Sequence, residues 1–195
     1  MDEAVQRGHP VRAFGRSADR LDPSDLVEPF VGDATSADDV ARALIGVRAV
    51  IYALGIRERL AMLWQEETLF SETTSVLIQE MRKADVSRLV AVTGFGAGRS
   101  KSAMSRVEKT GHRAVLGKPY ADKDRQEALI EASDLAWTIV RPVILTKGAK
   151  STTYRVLREP DEWRNGLISR SSVAHYLVDA IERDLDVRSD VVLAR

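Results

Sequence analysis

The sequence predicts an α/β domain built on a mostly parallel sheet, and three observations support this class. The runs Ala49–Gly55 and Leu89–Gly94 are continuously apolar, as strands buried on both faces of a sheet are. Stretches with apolar residues at helical spacing lie between such runs. Strand and helix alternate along the chain, which favours parallel strands joined by right-handed crossovers.

The elements are predicted in a regular order over one domain of 195 residues, with no linker or repeat. The predicted strands are Val11–Phe14, a weaker Val27–Val31, Ala49–Gly55, Leu89–Gly94, Trp137–Val140, a short strand at Tyr154–Leu157 and a closing strand at Asp190–Leu193. The predicted helices are Met1–Gly8, one capped by Ser36, Glu67–Ala84, Lys123–Ser133, and one capped by Ser171 or Ser172. The segment Thr146–Ile168 mixes charge, Gly and Pro, and is predicted to be mostly irregular.

Composition excludes several classes of function. The 29 Lys and Arg balance the 29 Asp and Glu, which argues against a general nucleic-acid binder. Without Cys there is no disulfide, thiolate nucleophile or Cys-ligated metal. His9, His112 and His175 have no carboxylate at ligand spacing, so no metal site is expected. The longest uncharged run is about half of the roughly 20 residues that span a membrane, and no signal peptide is evident, so we expect a cytoplasmic protein that binds no membrane.

The carboxyl ends of the predicted strands are where ligands bind in open α/β sheets. Arg16 follows the first strand, and no acid lies between Val11 and Ser17. An Arg there suits the 2′-phosphate of NADP, whereas an acid would suit NAD; the alternative is a solvated surface Arg. Asp33 follows the second strand and either contacts an adenine or is a turn residue. Gly94–Gly98 lacks the pattern of a phosphate-binding loop and is predicted to line a cleft. Trp64 is either a lid over a flat substrate or a packing anchor.

Five stretches, taken in order, resemble the atypical short-chain dehydrogenase/reductases with an NmrA-like NAD(P)-binding fold, and within them the flavin reductase/biliverdin-beta reductase-like branch. These stretches are RGHPVRAFGRS, VGDATSADDVARALIGVRAVIYALG, RLVAVTGFGAG, YADKDRQEALIEASDLAWTIVRP and GLISRSSVAHYLVDAI. The resemblance covers nearly the whole chain and implies a Rossmann-like, doubly wound parallel sheet with NADP as cofactor.

The resemblance also shows a departure at the amino terminus. The family opens with a strand and a GxxGxxG turn before its first helix, and here only the helix Met1–Gly8 matches. The expected sheet therefore lacks its first, central strand, through either a start codon assigned too late or a true truncation. We expect a chain without that strand to be unstable or to self-associate through unpaired strand edges, and to bind a pyrophosphate poorly.

Catalytic residues carry over incompletely from the wider superfamily, which uses a Tyr-x-x-x-Lys pair. Lys123 falls at the family Lys, but Pro119 stands at the Tyr position and Tyr120 is one residue out of register. Thr93 and Lys123 are the candidate catalytic residues. The resemblance implies that the cofactor lies against Arg16, Ser17, Asp33, Ala34, Leu54, Gly55, Thr93, Gly94, Lys123, Pro142, Val143 and Ile144.

The resulting expectation is an NADPH-dependent reductase that transfers hydride to a flat aromatic acceptor such as a flavin, a biliverdin-like tetrapyrrole or a quinone. Such a reaction asks the protein mainly to position two rings, which agrees with the missing Tyr. The alternative is a non-catalytic, NADP-sensing regulator of the NmrA-like type. An epimerase or dehydratase acting on nucleotide sugars is less favoured, because those enzymes depend on the Tyr.

Overall fold

A computed structural model describes residues 1–55, 68–103 and 120–195 of the chain. Its strands are β1 (Val11–Phe14), β2 (Val27–Phe30), β3 (Ala49–Tyr52), β4 (Arg88–Val92), β5 (Ala136–Pro142), β6 (Ile144–Thr146), β7 (Arg155–Leu157), β8 (Leu167–Ser169) and β9 (Ser189–Ala194). Its α-helices are α1 (Asp2–Gln6), α2 (Ala37–Leu44), α3 (Leu69–Lys83), α4 (residues 120–131) and α5 (Arg170–Glu182). Trp64, His112 and Pro119 lie outside the described residues.

The main sheet has five strands in the order β3-β4-β5-β9-β7. Its first four strands are parallel, and β7 adds an antiparallel edge. The expected mixed α/β, Rossmann-like architecture is therefore confirmed. Parallel neighbours joined through helices produce this arrangement, because each crossover must bring the chain back to the same end of the sheet.

A second, two-stranded parallel sheet is formed by β1 and β2, with Val11 opposite Val27 and Phe14 opposite Phe30. Among the described strands, no backbone ladder joins this pair to β3. The parallel sheet is thus divided, as expected for a sheet that lacks its central strand. The pair is attached through α2 instead, since Arg12 Nη1 donates to the carbonyl oxygens of Ala43 and Ile45 at 2.9 and 2.7 Å.

The core lies on both faces of the main sheet. Leu89 and Ile139 pack in one cluster with α2 and α3, whereas Val90 and Val140 pack in another with α5. Successive residues of a strand point to opposite faces, so a stretch that is buried on both faces favours apolar side chains at successive positions. This explains the apolar runs Leu89–Val92 in β4 and Ile139–Val140 in β5, while Thr138 and Arg141 of β5 are buried with hydrogen-bond partners.

Two details differ from the sequence-based expectations. The N-cap of α5 is Ser169, whose Oγ accepts from the Ser172 amide at 3.1 Å; the prediction of Ser171 or Ser172 was wrong. The segment expected to be irregular begins and ends in strands, because β6 and β8 pair in parallel. Three residues per strand, partly exposed, give too short a pattern to recognise. Among the described residues, no helix is long and apolar enough to cross a bilayer.

Candidate functional site

The end of β1 presents an open positive charge. Arg16 is exposed, and in the described part of the chain no acidic side chain pairs with it at salt-bridge distance. Gly15 beside it faces open space, since a Cβ placed there would meet no described atom within 4 Å. A ligand phosphate would therefore reach both the guanidinium and the backbone at this point without displacing a side chain.

Asp33, at the end of β2, is built into its own turn. Its carboxylate accepts from the Thr35 amide at 2.9 Å and from the Thr35 hydroxyl at 2.8 Å. These hydrogen bonds, together with the nearby Arg16 charge, hold the pKa of Asp33 below its usual value. Asp33 thus performs the turn role, and its carboxylate retains limited capacity for an adenine.

Two glycines at strand ends differ in their surroundings. A Cβ at Gly32 would lie 2.4 Å from the Phe14 ring, so this glycine is required by packing. A Cβ at Gly55, which follows β3, would meet no described atom within 4 Å. Among the described residues, nothing covers the Gly55 backbone, at the strand end where the strand-end rule places a ligand. That Leu54 and Gly55 contact a cofactor stays a prediction.

Lys123 lies against the end of β4. Its Nζ donates to the carbonyl oxygen of Thr93 at 2.5 Å and stands 4.8 Å from the centroid of the Phe70 ring. Burial of the ammonium lowers the pKa of Lys123 to about 8, and the negative charge of Glu127 opposes this shift. The chain therefore holds a partly desolvated cation at a position where the resemblance predicts contact with the cofactor.

Tyr120 is a member of the site that the sequence comparison left out. A Cβ at Gly94 would lie 3.0 Å from the Tyr120 hydroxyl, so this oxygen is over the end of β4. Its ring centroid is 5.8 Å from Lys123 Nζ. Residues three and four apart share a helix face, which explains how a Tyr one position out of register still reaches this place.

The Thr93 hydroxyl belongs to a buried polar cluster. It donates to Glu127 Oε1 at 2.6 Å, and Glu127 in turn accepts two hydrogen bonds from Arg141, at 3.0 and 2.7 Å. Arg141 also pairs with Asp190. The Thr93 hydroxyl is thus committed to Glu127, and it is the Thr93 carbonyl that meets Lys123. We predicted no part for Glu127 or Asp190, because the chain brings them together only on folding.

Beyond β5 the surface becomes apolar. Pro142 and Val143 are buried, whereas Ile144 is 58% exposed and its partner across the β6–β8 pair, Leu167, is 56% exposed. These two side chains lie on the same face of the β6–β8 pair and form an exposed apolar strip, named here the β6–β8 strip, whereas Leu145 points to the opposite face. The amide of Phe95 donates to the Pro142 carbonyl, which holds the loop after β4 beside the end of β5. A flat apolar ring would bury surface against such a strip.

Metal chemistry finds no support in the described residues, which hold no group of three His, Asp or Glu able to bind an ion. His9 pairs with Glu182, and His175 hydrogen-bonds the Tyr154 hydroxyl. Both imidazoles therefore act in contacts that attach α1 and the segment after β6 to α5.

A family model described as NAD(P)H-binding matches residues 1–184. The chain belongs to this NAD(P)H-binding family. The match explains why the features described above gather at the carboxyl ends of the strands, where members of such folds hold a dinucleotide.

Solved structures share the fold of this NAD(P)H-binding chain. ChuY from Escherichia coli O157:H7, described as an anaerobillin reductase, is 24% identical with a TM-score of 0.81, over 99% of this chain and 88% of ChuY. A short-chain dehydrogenase/reductase from Veillonella parvula DSM 2008, solved in complex with NADP, is 15% identical with a TM-score of 0.80, over 99% of this chain and 87% of that one. The oxidoreductase YlbE from Lactococcus lactis is 15% identical with a TM-score of 0.82, over 100% of this chain and 83% of its own.

The structure brings the predicted residues of the NAD(P)H-binding site together in two groups. One group, at the ends of β1 and β2, holds Arg16, Ser17, Asp33 and Ala34. The other, around the ends of β4 and β5, holds Thr93, Gly94, Lys123, Pro142, Val143 and Ile144. Leu54 and Gly55 follow β3, the strand next to β4. Which of these residues touch a cofactor stays a prediction.

Proposed function

We propose that this protein is an NADPH-dependent reductase that delivers hydride to a flat aromatic acceptor. The observation that carries the proposal is the pairing of a partly buried cation with an apolar surface at adjacent strand ends. Lys123 is held on Thr93 at the end of β4, and the β6–β8 strip follows β5 directly. Such a site suits a polar ribose on one side and an apolar ring on the other.

The residues fit a nicotinamide dinucleotide carrying a 2′-phosphate. Gly15 and Gly55 leave open backbone for a close approach, and Arg16 offers an exposed guanidinium that forms no salt bridge with a described acid, although its charge acts on nearby Asp33. Arg forms bidentate hydrogen bonds to phosphate. When bound, the nicotinamide supplies the hydride. Arg16 would hold the 2′-phosphate, Lys123 the ribose hydroxyls, and Val143 and Ile144 would exclude water from the ring.

The class of acceptor follows from the β6–β8 strip. Ile144 and Leu167 carry no charge, so they favour an extended apolar ring system over a sugar or a small acid. ChuY, described as an anaerobillin reductase, supports the inclusion of bilins beside flavins and quinones. Electron balance is simple, since one hydride from NADPH and one proton from water reduce the acceptor by two electrons.

The test is oxidation of NADPH followed at 340 nm, with FMN, biliverdin and menadione offered separately. We expect turnover with at least one acceptor and a preference for NADPH over NADH. Arg16→Ala is expected to reduce that preference by about tenfold or more, as removal of a charged hydrogen bond does. Arg20→Ala is the matched control, because Arg20 is an exposed Arg four residues away in a 3-10 helix. Absence of turnover with every acceptor would refute the proposal.

A regulator that binds NADP without turnover is the second candidate. The observation that favours it is the Thr93 hydroxyl, which donates to Glu127 and is not directed to a substrate. Isothermal titration with NADP⁺ separates the two candidates. Tight binding together with no oxidation of NADPH by any acceptor would establish the regulator.

A further inference from the structure

The cluster of buried charges beside the site has a structure that stability alone does not require. Arg141 is fully buried, and its guanidinium holds Glu127 through two hydrogen bonds and Asp190 through a third. The Trp163 ring lies 5.3 Å from the guanidinium carbon. Apolar residues of similar volume often stabilise a core as well as a buried ion pair does. A function for the exact placement of these groups is therefore worth seeking.

Glu127 is the member that connects the cluster to the candidate site. Its Oε1 accepts from the Thr93 hydroxyl at 2.6 Å, and Thr93 is the residue whose carbonyl receives Lys123. Lys123 and Glu127 stand four residues apart on α4, so they share one helix face. The carboxylate thus fixes Thr93 directly and acts on Lys123 through its charge.

Glu127 also fixes the loop that follows β4. The backbone at Gly98 packs so closely that a Cβ there would lie 1.8 Å from Glu127 Oε2. One turn earlier on α4, Asp124 accepts from the Gly98 amide at 2.8 Å. The loop after β4 therefore packs against α4, and the Glu127 carboxylate forms part of the contact surface.

We propose that Glu127, held by Arg141, is a positioning residue: it fixes Thr93, to whose carbonyl Lys123 donates, and places a negative charge on the helix face from which Lys123 would meet the cofactor ribose. The role of Lys123 at the ribose rests on the proposed function, whereas the pKa of Lys123 is measured without any cofactor. Arg141 holds the Glu127 carboxylate in place through two hydrogen bonds, and the negative charge of Glu127 favours the cationic form of Lys123. A cationic Lys123 donates hydrogen bonds to ribose hydroxyls, whereas a neutral amine donates fewer.

The charged and polar surroundings of this pair are known for the described elements. Lys123 faces Glu127 and Tyr120 from α4, the Phe70 ring from α3 and the Thr93 carbonyl from β4. Glu127 faces Arg141 from β5, and Asp190 on β9 and Arg99 after β4 complete the cluster. On the same helix, burial and the negative charge of Glu127 raise the pKa of Glu131.

The direction of the effect follows from these contacts. Burial lowers the pKa of Lys123 and the charge of Glu127 raises it, so removal of the charge lowers the pKa further. Neighbouring opposite charges shift a pKa by about 1–3 units. In Glu127→Gln we therefore expect the pKa of Lys123 to fall by about one unit or more. NADPH binding should then weaken at a lower pH than in the wild type.

The experiment is competitive labelling of lysines with acetic anhydride across pH 6–10, with Lys123 followed by mass spectrometry. Glu127→Gln is compared with the wild type and with Glu131→Gln, a control that removes an exposed carboxylate one turn further along α4. Support is a lower pKa of Lys123 in Glu127→Gln alone. An unchanged pKa in folded Glu127→Gln, or the same fall in Glu131→Gln, overturns the proposal.

A second variant covers the case in which Glu127→Gln does not fold. Replacement of both partners, in Glu127→Met with Arg141→Met, leaves no unpaired charge between them, and Asp190 keeps its ion pair with Arg99. The same fall in the pKa of Lys123 is expected, and its absence overturns the proposal. The labelling needs no cofactor. Failure of the wild type to bind NADPH would refute the proposed function. An unchanged pKa of Lys123 in the variants would refute only the positioning role of Glu127.

Discussion

Gly98 offers a quantitative test of how tightly the loop after β4 is seated. Its φ is +50°, and a Cβ would lie 1.8 Å from Glu127 Oε2 and 3.0 Å from Arg141 Nη2. The left-handed backbone costs a non-glycine residue about 1–2 kcal/mol. Overpacking against buried, hydrogen-bonded groups adds about 1–3 kcal/mol. Gly98→Ala should therefore lower the free energy of unfolding by about 2–5 kcal/mol, less about 0.4–1 kcal/mol from the stiffer unfolded chain.

Gly46→Ala is the matched control for this prediction. Gly46 has a φ of +74°, but a Cβ there meets no described atom within 4 Å. It carries the backbone cost without the clash, so a loss of only about 1–2 kcal/mol is expected, less the same gain of about 0.4–1 kcal/mol from the stiffer unfolded chain. For a domain of this size about 2–4 °C in Tm corresponds to 1 kcal/mol. Thermal unfolding followed by circular dichroism resolves the difference, and equal falls in Tm for the two variants would refute the reasoning.

Three more predictions address the acceptor surface, the buried cluster and the divided sheet. Leu167→Asp, in the β6–β8 strip, should raise the KM for a flat acceptor by about tenfold in steady-state assays, since it places a charge where apolar area is buried. Leu167 is not among the predicted cofactor contacts, so NADPH affinity should stay unchanged. Val187→Asp, at another exposed apolar residue, should change neither quantity. Asp190→Asn should destabilise the protein at neutral pH. Burial raises the pKa of Asp190, but Arg99 and Arg141 outweigh burial, and the net effect is a lowered pKa. The ionised carboxylate therefore stabilises the fold above the unfolded pKa of about 3.8, and this stabilisation is lost as pH falls through the lower pKa of the folded state. Urea unfolding should show a gap from wild type at pH 7 that narrows below pH 4, and a constant gap would contradict this. We also propose that the edge of β3 takes part in self-association; Ile51→Lys, on that edge, should lower the mass seen by light scattering at high concentration, whereas Ile45→Lys, outside any strand, should not.

The sequence was informative where burial is complete. The strand β4 is covered on both faces, so its residues from Leu89 to Val92 are all apolar and the run is visible without knowledge of the fold. The α2 cap was equally visible, because Ser36 and Asp39 meet within one turn, with the Asp39 amide donating to Ser36 Oγ. Local contacts of this kind leave a local pattern.

The site was predictable in part, from the topology of the sheet and not from local patterns. The strand-end rule selects Arg16 and Thr93 from the order of strands and helices alone, since it depends only on topology. The role of the Thr93 hydroxyl was not predictable, because its partner Glu127 is 34 residues away. The reach of Tyr120 to Gly94 depends on where α4 begins and how it is rotated, and helix ends are the least certain feature of a sequence-based prediction.

The division of the sheet has a consequence for how the molecule opens. The backbone hydrogen bonds of the β1–β2 ladder join these two strands only to each other. Arg12 on β1 connects the pair to the end of α2 through hydrogen bonds to two carbonyl oxygens. The two halves of a dinucleotide would thus rest on separate ladders, one of two strands and one of five. Local fluctuation can release the smaller ladder while the larger stays closed. Hydrogen exchange should then show the Arg16 side losing protection first, and a ligand that bridges both ladders should slow exchange there most.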